Sequence, residues 1–183
     1  GLKEMVYNDF FIGEDSDVTI IAGCGIHNGG SETSEHDGIH SFFVGKNAKV
    51  RYVEKHYGQG DGNGKRIMNP TTIVELGEGS YMEMDTVQIR GVDSTKRKTQ
   101  SKLGKDATLI IKEKIMTHGH QTAETDFTVD LDGENSSTNV ISRSVAKEQS
   151  HQLFLSKING NNKCAGHTEC DAIIMDEASV SAI

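Results

Sequence analysis

The sequence predicts an all-β chain wound as a parallel β-solenoid, from three observations. One turn recurs at nearly constant spacing, the segments between its copies alternate as strands do, and no segment shows a helical face with start and stop signals. The turn reads Gly13-Glu-Asp-Ser-Asp-Val18, Gly45-Lys-Asn-Ala-Lys-Val50, Gly77-Glu-Gly-Ser-Tyr-Met82, Gly104-Lys-Asp-Ala-Thr-Leu109 and Gly133-Glu-Asn-Ser-Ser-Thr138. Its glycines are 32, 32, 27 and 29 residues apart, so each copy marks the same corner of a coil of that length. Glycine takes a positive φ without penalty, which is the expected reason for its place there. An antiparallel sandwich is the rival, but a sandwich has no need of the same turn at each corner.

The strands follow in order. Tyr81 to Ile89 and Thr108 to Met116 are rich in β-branched and aromatic residues, though their alternation is uneven. Ala123 to Leu131 alternates cleanly, with Phe127, Val129 and Leu131 on one face and Thr128 and Asp130 on the other. Thr138 to Val145 and Gln152 to Ile158 resemble the first two. Strands this short, without crossover helices, stack most simply as a solenoid.

Composition fits one β-helix domain over residues 1–183, with 34% hydrophobic residues, 20 glycines and the single proline Pro70. A net charge of −8 argues against a nucleic-acid partner. The basic run Lys96-Arg-Lys98 reads as a solvated loop face. No apolar run has membrane-spanning length and no signal-like start is present, so a cytoplasmic chain with no membrane partner is expected. Three cysteines form no even disulfide framework, which suits a reducing compartment.

Soft and imidazole ligands gather in two regions. Cys24, His27, His36, His40 and His56 form the first, and Cys164, His167 and Cys170 the second. Such donors select zinc, iron or copper. The metal candidates are therefore Cys24, His27, His36, His40, Cys164, His167 and Cys170, although neither region has zinc-finger spacing. The plain alternative is that the cysteines are small core residues and the histidines loop donors. The glycine-rich run Gly58 to Arg66 fails as a P-loop, because Gln59 and Arg66 stand where glycine and serine or threonine belong. It fails as a calcium loop too: Asp61 and Asn63 suit, but Lys65 replaces an oxygen ligand. A corner loop remains. No serine elbow, activated-cysteine motif or catalytic carboxylate pair is present, and Glu83 with Asp85 reads as a solvated strand face. The chain is not expected to be an enzyme.

Five blocks carry a resemblance: Gly23-Cys-Gly25, His36-Asp-Gly-Ile-His40, Gly45 to Tyr52, Ser136 to Val145 and Glu169-Cys-Asp-Ala-Ile-Ile174. Together they resemble the SufB/SufD family of the SUF iron–sulfur assembly machinery over nearly the whole chain. The resemblance implies a right-handed parallel β-helix and a non-catalytic scaffold that receives sulfur and iron. It also implies a transient iron–sulfur cluster in the full-length complex, with none tightly bound to this core fragment. The implied partners are a SufC-type ABC ATPase, docking through a helical region absent here, a sulfur-donor protein, and a SufB/SufD-type paralogue or a second copy. Cys24 stands where family members accept sulfur, and His56 and Tyr57 fall along the internal path that follows it. Cys170 matches a family cysteine. An acceptor thiol is expected to have a low pKa. Open strands near the last coil place Ala178, Val180 and Ala182 at a subunit contact. The alternatives are a stable Cys/His metal-binding β-helix protein and a polysaccharide-active β-helix enzyme, the latter disfavoured by the absence of tryptophan and 5% aromatic content.

Overall fold

The computed structural model describes residues 2–60 and 62–183, and of Ile89 the backbone alone; Asp61 of the calcium-loop reading lies outside the described residues. Among the described residues fourteen strands follow one another: β1 Lys3–Ile12, β2 Asp17–His27, β3 Ser34–Val44, β4 Lys49–Gln59, β5 Arg66–Met68, β6 Thr71–Leu76, β7 Tyr81–Arg90, β8 Ser94–Leu103, β9 Thr108–Thr117, β10 Thr122–Leu131, β11 Ser136–Ala146, β12 His151–Gly160, β13 Cys164–Ile174 and β14 Ser179–Ala182. They alternate between two parallel sheets. One runs β1-β3-β5/β6-β8-β10-β12-β14 and the other β2-β4-β7-β9-β11-β13. Each coil gives one strand to each sheet, and every ladder joins neighbouring coils, as in β10 with β8 and β12. The chain is the parallel β-solenoid that its turn spacing predicts. Among the described residues no helix is present, hence none long and apolar enough to cross a membrane.

The five predicted strands are all present, shifted by no more than two residues at most ends. Pro70 falls between β5 and β6, where a residue without an N–H breaks the ladder to β3. Of the Gly58 to Arg66 run, Gly58 and Gln59 end β4, Arg66 opens β5, and the described residues between them form a corner. Its backbone bonds the corner of the preceding coil, through Gly62 N to Asn28 O at 3.2 Å and Gly64 N to Gly30 O at 2.9 Å.

The recurrent turns stack along one edge, but not for the reason the sequence suggests. The positive φ belongs to the third residue of each turn: Asp15 at 61°, Asn47 at 57°, Gly79 at 68°, Asp106 at 56° and Asn135 at 60°. Asparagine and aspartate tolerate this conformation better than other side chains do. The first-position glycine instead lies flat against the preceding coil. Its N–H donates to the last strand carbonyl one coil back, from Gly45 to Ile12, Gly77 to Val44 and Gly104 to Leu76, each at 2.8 Å. A Cβ on Gly77 would sit 2.9 Å from that carbonyl oxygen, and one on Gly133 would sit 2.0 Å from Lys105 N. Close approach, rather than handedness, demands the glycine.

The space between the sheets is filled by inward side chains from both. Beside the glycine edge it is apolar, with Phe42, Val44, Val50, Tyr52, Leu76, Met82, Met84, Leu109, Ile111, Phe127 and Leu131 all buried. Phe10 stacks on Phe42 at 4.8 Å between ring centroids, and Phe42 meets Tyr52 edge-on at 4.7 Å.

Candidate functional site

Farther from the glycine edge the same inward positions turn polar. Along β4 they read Val50, Tyr52, Glu54, His56; along β7 Met82, Met84, Thr86, Gln88; and along β9 Leu109, Ile111, Glu113. From the facing sheet come His40, Thr95, Arg97, Thr99 and Thr125, all buried. The period of two is unbroken while the chemistry changes halfway along each strand. This is why the alternation of hydrophobicity looks uneven in the sequence. The run Lys96-Arg-Lys98 is corrected by the same rule: it lies in β8, where Lys96 and Lys98 face water and Arg97 points inward, 4% exposed.

At the first two coils this polar interior gathers reactive side chains. Cys24 of β2 is paired in register with His56 of β4, one coil on. Glu54, two residues before His56, shares its inward face, and His40 of β3 reaches in from the facing sheet. Ligand atoms of Cys24, His40 and Glu54 all lie within 4.8 Å of one another. Glu54 accepts a hydrogen bond from His56 Nε2 through Oε1, and Arg97 approaches Oε2 at 3.4 Å. Burial by itself works against the Glu54 carboxylate. Arg97, the His56 hydrogen bond and the charges around it outweigh burial and hold Glu54 well below the usual carboxylate range. His56 and His40 are lowered, mainly by burial, so both rings are neutral near pH 7. The buried ion pair is therefore Glu54 with Arg97.

Cys24 is half-buried against Ile26, Met68 and Val92. Burial, then the Glu54 charge, pushes its thiol up to about 11, opposite to the low value expected of an acceptor thiol. His40 is positioned by Asn8 of the adjacent coil, whose amide lies 3.3 Å from Nδ1. Two buried polar atoms beside the cluster, Tyr52 Oη and His56 Nδ1, make no hydrogen bond of good geometry.

The other sequence candidates are placed as follows. His27 lies on the outer face of β2 and is exposed. His36 shares the parity of His40 but turns to Glu4 at 3.2 Å. Tyr57, named for the internal path, is 42% exposed and lies over the position a Cβ on Gly25 would occupy, so it faces away from the interior that His56 enters. Cys164 and Cys170 sit six residues apart on β13, packed against the edge of the apolar core, while His167, an odd number of residues from each, is exposed near Glu169. The three do not converge. The Cys170 thiol is raised by burial and then by Glu113. Glu83 and Asp85 are outward, each paired across coils, with Lys112 at 2.7 Å and Arg51 at 3.1 Å.

Sequence reasoning missed Glu54, Arg97 and Glu113. The available signal was parity: each falls on the inward face of its strand, next to an inward apolar or small residue, Tyr52 for Glu54, Thr95 for Arg97 and Ile111 for Glu113.

The described residues thus form a two-sheet parallel solenoid with a polar interior and, among them, one Cys/His/Glu cluster. The family model described as "SUF system FeS cluster assembly, SufBD core domain" matches residues 7–182. An Archaeoglobus fulgidus protein named "Iron-sulfur cluster assembly SufBD family protein" is 27% identical over 178 residues, covering 97% of this chain and 47% of its own length. A SufBD family protein of Methanocaldococcus jannaschii is 28% identical over 184 residues, covering 100% of this chain and 57% of its own length. The chain spans about half the length of these curated relatives. A family match that runs from the first strand to the last, on a solenoid with these corners, makes the chain a member of the SufBD family of iron–sulfur cluster assembly proteins, represented by its core domain.

Proposed function

We propose that the protein is a non-catalytic scaffold of the SUF system, on which sulfur and iron meet to form a transient cluster destined for other proteins. The observation that supports this best is the buried polar interior, which begins at Cys24 and continues through His56, Arg97 and Glu113 towards Cys170. A solenoid stabilised by burial alone has no use for such a row, because each polar group withdrawn from water must be compensated. In this reading the Cys24 sulfur attacks the outer sulfur of a persulfide carried by a donor protein, forming the Cys24 persulfide as the donor's own S–S bond breaks and its thiol leaves. The neutral His56, in register with Cys24 and with Nδ1 unpartnered, then serves as the proton acceptor for a thiol that burial keeps protonated. A SufC-type ABC ATPase and a second SufB/SufD-type subunit, or a second copy of this chain, are the proposed partners. The subunit contact lies at Ala178, Val180 and Ala182.

The test is persulfide labelling of the full-length protein after exposure to a sulfur donor. Cys24→Ser is expected to lose the label while circular dichroism stays unchanged. Equal labelling of variant and wild type removes Cys24 from sulfur receipt.

A further inference from the structure

We infer that Cys24, His40 and Glu54 form a binding site for a single divalent transition-metal ion, held inside the solenoid between its first two coils. The three donors come from three strands and both sheets, so their convergence is a product of the fold and not of local sequence. Their ligand atoms lie within 4.8 Å of one another, whereas donors around a tetrahedral ion are about 3.4 Å apart for metal–ligand bonds of about 2.0 to 2.3 Å. Closing the site therefore requires each side chain to move by no more than about an ångström.

The donor set selects the ion. A thiolate, an imidazole and one carboxylate suit zinc or ferrous iron and do not suit calcium or magnesium, which take oxygen ligands in larger number. Three protein ligands leave a fourth position open, the arrangement of a site that exchanges or presents its ion. Two groups beside the cluster point to a missing occupant. His56 Nδ1 is buried without a hydrogen-bond partner, Tyr52 Oη lies beside the Glu54 carboxylate without a hydrogen bond of good geometry, and a water or hydroxide on the fourth position would supply one.

The neighbours also favour an ion. A carboxylate has about four lone-pair directions, so Glu54 can keep His56 and Arg97 and still bind a metal. These two contacts orient it as an outer shell does. When the sulfur–metal bond forms, the Cys24 proton is released to solvent. Two anionic ligands and Arg97 then leave the occupied site with one net positive charge.

The inference shares Cys24 with the sulfur reading but does not rest on it. The probe is Co²⁺, titrated into reduced protein without oxygen. Wild type should saturate at one ion per chain, with a thiolate-to-cobalt charge-transfer band in the near ultraviolet and visible bands of tetrahedral cobalt. Zn²⁺ should displace it. Cys24→Ala should abolish the charge-transfer band, and His40→Ala should weaken binding about tenfold or more. Cys170→Ala and His167→Ala should change neither. Cys24→Ser provides a second variant of nearly the same size, should the alanine variant unfold. A wild-type spectrum without the thiolate band means cobalt on exposed histidines such as His27 and His167 only, and overturns the site. So does a band that survives loss of Cys24. Cobalt uptake at Cys24 without persulfide labelling, or labelling without cobalt, separates this site from the sulfur role.

Discussion

Glu113 shows what a single buried side chain does to the molecule. Burial pushes its carboxyl up to about 7, although Arg97 and the Thr125 and Ser142 hydroxyls act in the opposite direction. Those two hydroxyls lie close to the carboxyl, but neither carboxyl oxygen makes a hydrogen bond of good geometry. In the folded chain the proton stays until about pH 7, while the unfolded chain loses it near 4.5. The native state therefore binds more protons between these values, and stability falls as pH rises through that window. The gap corresponds to roughly 3 kcal/mol. Glu113→Gln should remove this dependence. Urea midpoints of wild type and variant should diverge in the variant's favour between pH 4.5 and 8, and a constant difference would contradict the assignment. Residues of this kind also mark where sequence reading stops. Cys24 and His40 were legible because cysteine and histidine are rare and chemically marked. Glu54, Arg97 and Glu113 were not, because a charged residue in a strand reads as outward-facing. Only the parity of its neighbours, once the strand bounds are known, says otherwise.

At the level of the corner and the strand, two positions in each recurrent turn have separate duties. The first is crowded by the coil before it; the third turns the chain through positive φ. A series of glycine-to-alanine changes should therefore be graded by space. Gly133→Ala meets backbone at 2.0 Å and should cost about 2 kcal/mol or more. Gly77→Ala, at 2.9 Å, should cost less, and Gly13→Ala, whose nearest atom is Ser16 Oγ at 3.5 Å, should be nearly neutral. Denaturant midpoints of the three variants check the order. Equal losses would mean that conformational freedom, not crowding, is what glycine supplies. The strands were legible from spacing and β-branched content, since a period of two survives any change in what fills it. The opposite edge was not. Its turns, with Gly119, Glu148 and Asp176 at positive φ, share no residue type that stands out in the sequence.

For the whole molecule, the ends of the stack matter most. Strands β13 and β14 each have one hydrogen-bonded neighbour in their sheets, and Ile173 and Ile174 at the end of β13, with Met175 after them, are exposed. Parallel edges of this kind recruit further strands. The 183-residue chain should sediment as a dimer at micromolar concentration, and Val180→Lys should return it to a monomer. A wild-type chain that stays monomeric at these concentrations would remove Ala178, Val180 and Ala182 from the contact.

Every ladder in the stack joins residues one coil apart, such as Val74 with Phe42 and with Ser101. Closing each coil then carries about the same entropy, roughly 3 kcal/mol for a loop of some thirty residues. Among the described residues no ladder reaches beyond the neighbouring coil, so none penalises a longer stack. A coil is in this sense a unit of currency-free growth: one more or one fewer, added whole, leaves all other ladders in register. A single residue gained inside a strand does the opposite, because it exchanges the inward and outward faces from that point to the next corner. Length in this fold is therefore free to vary in steps of a full winding and closely guarded within one.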